Sequence, residues 1–189
     1  LSDLTLDIKG SFDTDGLLEF DVLESVADFK FNDSKVHFFK PSTAAIEMSG
    51  SAHFSNNKLS IKLKNGVIHD VNLGGSALKI YPDDTNNYKA DVDLMAKGSV
   101  KSLRQILQDK TIAEIKNIDS IPPGLTGTTT LRAKVSFPLD MENTTKVIPF
   151  NASAKIKNAH LPDILIGNDF NNGELEINVD QDKIVISGT

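Results

Sequence analysis

The chain has 189 residues, no cysteine, no tryptophan and a formal net charge of −6, which excludes disulfides, thiolate metal centres and cysteine nucleophiles. Lysines and carboxylates alternate along it without forming blocks, which excludes the clustered basic face of a nucleic-acid binder and electrostatic docking on anionic lipid. A chain of this length hides roughly 70% of the surface its unfolded form exposes, enough for one large β domain or two small related units.

The dominant pattern is period-two alternation, which places successive side chains on opposite faces of a strand. Leu4, Leu6 and Ile8 alternate with Thr5, Asp7 and Lys9; after a turn at 13–16, Leu18, Phe20 and Val22 predict another strand. Ile46, Met48, Gly50, Ala52 and Phe54 alternate with Glu47, Ser49, Ser51 and His53. Asn56 and Asn57 then turn the chain into Leu59, Ile61 and Leu63, so this stretch reads as a hairpin. Leu78 and Ile80 follow, then a polar loop at 83–87 and a strand through Tyr88, Ala90, Val92, Leu94 and Ala96. The period changes at 99–109, where Val100, Leu103, Ile106 and Leu107 recur at helical spacing with Ser99 placed as N-cap. One short amphipathic helix is predicted there, laid over the sheet or over one end of it. A loop through Ile121, Pro122, Pro123 and Gly124 is the best internal boundary. Later strands carry Leu131, Ala133, Val135 and Phe137, then Phe150, Ala152, Ala154 and Ile156, then Leu175, Ile177 and Val179, then Ile184 and Ile186. One apolar and one wet face almost throughout predicts an all-β, mainly antiparallel, twisted or curled sheet.

The chain also repeats itself. Residues 60–74 align without gaps on 153–167: Ser60, Lys62, Lys64, Asn65, Asp70 and Gly74 recur as Ser153, Lys155, Lys157, Asn158, Asp163 and Gly167. The apolar positions between them exchange Ile, Leu and Val. This predicts a modular sheet of two related units, 1–98 and 125–189, joined by the helix and loop of 99–124.

Chemistry-bearing motifs are sparse. The four histidines, His37, His53, His69 and His160, have no zinc-site spacing. His69-Asp70 is half of a triad, but no Gly-x-Ser-x-Gly elbow holds a nucleophile. Gly74-Gly75-Ser76 is too short for a phosphate loop. Carboxylates at Asp83, Asp84, Asp163, Asp169, Asp180 and Asp182 sit in turn-like contexts, where Asp is favoured for backbone reasons. No catalytic residue, metal ligand or cofactor is therefore expected, and a hydrolase is the weakest reading.

The apolar face has two possible fates. Two sheets can clamp together and seal it in a sandwich, or one sheet can curl into a trough whose floor accepts a greasy guest. Patterning alone favours the sealed core. Small residues in the expected inward register, among them Gly50, Ala52, Ala77, Ala90, Ala96, Ala133, Ala152 and Ala154, suit either outcome.

Three landmarks resemble a known family. They are Gly98-Ser99-Val100-Lys101-Ser102-Leu103, the Phe137-Pro138-Leu139 step closing the strand that starts at Gly127, and Asn172-Gly173-Glu174-Leu175-Glu176-Ile177 followed by Ile184-Val185-Ile186-Ser187-Gly188. This order resembles the AsmA-like envelope proteins of diderm bacteria, in particular the large YhdP type, with TamB as a more distant relative. The resemblance implies one β-rich segment, 1–189, of a longer periplasmic protein held in the inner membrane by an anchor outside the segment. It implies a non-catalytic apolar trough for phospholipid or another acyl-chain lipid, with other envelope proteins as further partners. Nucleic acid is not among them. On that reading the trough floor is Ile46, Met48, Leu59, Ile61, Leu63, Leu131, Val135 and Ile156. The alternative is a structural or adhesive β-sandwich binding a protein or glycan.

Overall fold

A computed structural model of the chain describes residues 4–9, 24–37, 43–107, 122–139, 150–165, 168–180 and 183–188. The strand expected at 18–22, and residues 108–109 at the end of the expected helix, lie outside them. In chain order the strands are β1 (Leu4–Lys9), β2 (Glu24–Val36), β3 (Ala45–Ser55), β4 (Lys58–Ile68), β5 (Val71–Asn72), β6 (Ala77–Pro82) and β7 (Tyr88–Ser99). After helix α1 (Val100–Leu107) come β8 (Thr126–Pro138), β9 (Phe150–Leu165), β10 (Asn168–Val179) and β11 (Ile184–Gly188).

The eleven strands described form one curled sheet, every pairing is antiparallel, and all join neighbours along the chain except β4 with β6 and β5 with β7. The β5 and β6 strands share the slot between β4 and β7. They keep one register against β4, with Ile68 opposite Val71 and Ile61 opposite Leu78, so they are two halves of a strand interrupted at 73–76. Pairings of β4, β5, β7 and β6 close a small ring around that interruption. With β5 and β6 sharing one slot, the meander runs through all eleven strands as one hydrogen-bonded sheet. Among the described residues no second sheet stacks on it.

Directly opposed residues point to the same face, so the pairings trace each face across the sheet. One row runs Phe29, Ala52, Ile61, Leu78, Val92, Val135, Phe150 from β2 to β9. Another runs Ala96, Leu131, Ala154, Ile177, Ile186 from β7 to β11. Wet rows interleave with them on the other face, such as Asp28, His53, Ser60, Lys79, Asp91, Ser136. A one-residue slip would exchange the two faces, which is why the register is so uniform. The sequence placed Ala77 inward; it sits instead in the wet row of Lys62, Asp93, Lys134 and Asn151.

Alternation breaks along one line. Register shifts fall in β2 between Phe31 and Ser34, in β3 between Ile46 and Ser49, and in β10 between Phe170 and Leu175. Left-handed residues mark them: Asp33 at φ 50, Glu47 at φ 54, Asn158 at φ 51 and Asn172 at φ 56. Each is a bulge, which bends its strand and resets which face follows. Hence Ala45 and Met48 are both buried, at 0% and 3% exposure, although three residues apart, while Ile46 between them is 45% exposed. In β9 the same offset buries both Ile156 and Ala159, at 3% and 0%.

The line of bulges is a crease, and the sealed core lies along it and beyond it. One cluster gathers Ala45, Met48, Ile68, Val71, Leu73 and Ala96; the second gathers Val100, Leu125, Ile156 and Ala159. Helix α1 ties them together, with Val100 in the second and Ile106 packed on the first. It starts where expected because Ser99 Oγ accepts from the Ser102 backbone N–H at 3.1 Å, a cap worth about 1 kcal/mol. Asn65 and Asn158 both sit at bulges of their strands, facing return strands broken at Gly74-Gly75 and at Asn172-Gly173. The two strands differ at the corner: β4 turns at 69–70, whereas β9 runs on to Leu165.

Candidate functional site

Away from the crease the apolar face is half-buried. Leu59, Ile61 and Leu63 of β4 and Leu131 and Val135 of β8 all lie on the apolar face, partly buried. Leu63 and Leu131 also lean against the crease core. Met48 and Ile156, expected in the floor, are instead sealed within that core, each at 3% exposure. Ile46 is a correction of another kind: the bulge at Glu47 turns it away from the core and leaves it opposite Val67.

The structure adds floor residues that the sequence reading passed over. Phe29 and Phe31 of β2 extend the face beyond β3, opposite Ala52 and Gly50. Their signal was present, because Ala27, Phe29 and Phe31 alternate with Asp28 and Lys30. At the other side, Ile177 and Ile186 continue the face to the edge strand, where Ile186 is 51% exposed. There an apolar recess of about 240 Å³ straddles the crease, lined by Pro122, Leu125, Leu161, Phe170, Leu175, Ile177 and Ile186. No side chain in that lining carries a polar group, and a polar ligand atom placed there would lose its water without compensation.

The wet face is occupied with itself. Tyr81 Oη and Ser136 Oγ each donate to the Asp91 carboxylate at 2.7 Å. Those bonds, Ser136 first, hold the Asp91 carboxyl below its ordinary range. Lys89 Nζ stands 4.8 Å from the centre of the Tyr81 ring. His53 pairs with Asp28 at 2.8 Å, Lys155 with Glu176 at 3.5 Å and Lys157 with Glu174 at 3.8 Å. Exposed cross-strand pairs of this kind are worth about 0.2–1 kcal/mol each and fix register.

His69-Asp70, the one dyad the sequence offered, is a turn. His69 has φ 54, and Asp70 Oδ2 accepts from the Ser99 backbone N–H at 3.3 Å, where the chain enters α1. His160 Nδ1 lies 2.6 Å from Asn171 Oδ1. Among the described residues no three His, Asp or Glu side chains converge as a metal site, and no helix is long and apolar enough to cross a membrane.

Set against protein-family models, curated proteins and solved structures, the chain matches none of them.

Proposed function

We propose that this protein is a non-catalytic lipid-binding segment whose curled sheet shields acyl chains on its apolar face. One observation supports the reading: a single antiparallel layer carries an apolar face from β2 to β11 whose large side chains are only partly buried. Apolar surface left incompletely covered in this way is what an interaction site offers. The polar face meanwhile stays in water, so each strand separates a greasy guest from solvent. Shielding is worth about 0.8 kcal/mol per buried CH₂, so a chain of about 16 carbons gains on the order of 10 kcal/mol over water. Movement from strand to strand then needs only an even path of solvation energy, with no bond made or broken.

The resemblance to AsmA-like envelope proteins supports phospholipid as the guest, the periplasm as the location and an inner-membrane anchor outside the segment. The adhesive alternative would use the wet face, where Lys79, Asp91, Asp93, Lys134 and Asn151 line a shallow groove of about 530 Å³. Native mass spectrometry and solvent extraction of the purified protein separate the two. Phospholipid near one or more equivalents supports lipid carriage; protein that stays lipid-free after incubation with phosphatidylcholine vesicles overturns it.

A further inference from the structure

Resting on the lipid-binding reading, we infer that the guest has a fixed polarity: its alkyl ends lie at the crease beside α1 and its headgroup lies at the opposite strand ends. The two ends of the apolar face differ in kind. At the crease, Val71, Val100, Leu103 and Leu125 are each at most 9% exposed, so α1 and its core close the face. The recess that remains there presents only hydrocarbon, from Pro122, Leu161, Phe170, Leu175 and Ile177 among others. A phosphate or glycerol seated in it would be stripped of water with no donor in reach.

The far ends of the strands are the reverse. The hairpin of β3 and β4 turns through Asn56 and Asn57 into Lys58. That of β6 and β7 turns through 83–87 into Lys89, whose amine sits over Tyr81. At the β10–β11 turn stand Asp180 and Lys183. All three turns lie on one rim, because the strands that enter them run away from the crease. Each presents exposed amide or carboxylate groups to water, which suit a solvated headgroup.

Lengths agree. From Ile156 at the crease to Phe150 at the rim, β9 rises about 20 Å at roughly 3.3 Å per residue. One leaflet of acyl chains occupies about 15 Å, half of a roughly 30 Å hydrocarbon core. A chain laid along the strands with its headgroup past the rim therefore reaches to within about 5 Å of the crease.

The absence of tryptophan makes the test clean. Single reporters are introduced at the rim by Phe54→Trp or Phe137→Trp and at the recess by Ile177→Trp or Leu161→Trp. Each protein is loaded from phosphatidylcholine vesicles carrying 5-doxyl or 16-doxyl acyl chains, then re-isolated free of vesicles. Two positions per end keep the comparison intact if one variant does not fold, as judged by circular dichroism. The expected result is a crossed pattern. The 16-doxyl probe quenches the recess reporters at least twofold more than the 5-doxyl probe, and the order reverses at the rim. Equal quenching at both ends, or the opposite order, overturns the polarity while leaving lipid binding intact. No quenching at any position, with no lipid extracted from the re-isolated protein, overturns the binding reading itself.

Discussion

If the crease is sealed and the floor is open, the same truncation must have unequal effects in the two places. Leu125 is 2% exposed and is among the largest fully buried side chains. Leu125→Ala removes its transfer energy and leaves a cavity, together worth about 2–5 kcal/mol. Leu59 is partly buried on the open face. Leu59→Ala removes about three methylene equivalents, each worth about 0.8 kcal/mol when fully buried. With part of that surface already in water and no cavity left behind, the loss is about 2 kcal/mol. Urea unfolding of lipid-free protein measures both. For a chain of this size each 1 kcal/mol moves Tm by about 2–4 °C, so Leu125→Ala should lower Tm by roughly 10 °C and Leu59→Ala by about 6 °C. Equal losses at the two sites would refute the division into sealed and open regions, because Leu59 would then be packed as tightly as Leu125.

Three further outcomes follow from the same geometry. Thr129 is 2% exposed and its Oγ1 has no hydrogen-bond partner, so Thr129→Val, which relieves a buried unsatisfied hydroxyl, should stabilise by about 1 kcal/mol in urea unfolding. A Cβ at Gly173 would collide with the Phe170 ring; Gly173→Ala should therefore destabilise by about 1–3 kcal/mol through overpacking, and Phe170→Leu in the same chain should recover part of it. Hydrogen bonds from Ser102 and then Ser99 hold the Asp70 carboxyl below its ordinary value of 3.8. A depressed carboxyl contributes stability above its unfolded pKa and loses it as pH falls through the lower folded value, so Asp70→Ala should destabilise at pH 7 and converge on the parent protein in acid titration below that range.

Much of the fold was legible because its cause is local. Alternation such as Leu59, Ile61, Leu63 against Ser60, Lys62, Lys64 fixes strand and face together, and Ser99 before Val100 announces the only helix among the described residues. What alternation does not reveal is where it resets. The bulge at Glu47, a residue with no turn preference, moved Ile46 out of the floor and Ala45 into the core. Asn65 stabilises that region through long-range bonds, donating to the Glu47 carbonyl at 3.3 Å and accepting from Asn72 Nδ2 at 3.0 Å. No window of local sequence contains all three residues. Sealed and open apolar positions were equally opaque: Ile156 and Ile61 alternate alike, and only the placement of α1 and Leu125 over the crease separates them.

The central claim is that the floor stands open to a guest while the crease does not, and the cysteine-free chain allows this to be read one thiol at a time. Ile61→Cys and Val135→Cys on the floor, and Leu125→Cys at the crease, are treated with a water-soluble maleimide under native conditions, before and after loading with phosphatidylcholine. The account predicts prompt labelling of both floor thiols in lipid-free protein, at least tenfold slower labelling once lipid is bound, and no native labelling at Leu125→Cys in either state. Floor thiols as unreactive as Leu125→Cys in the lipid-free protein would contradict it.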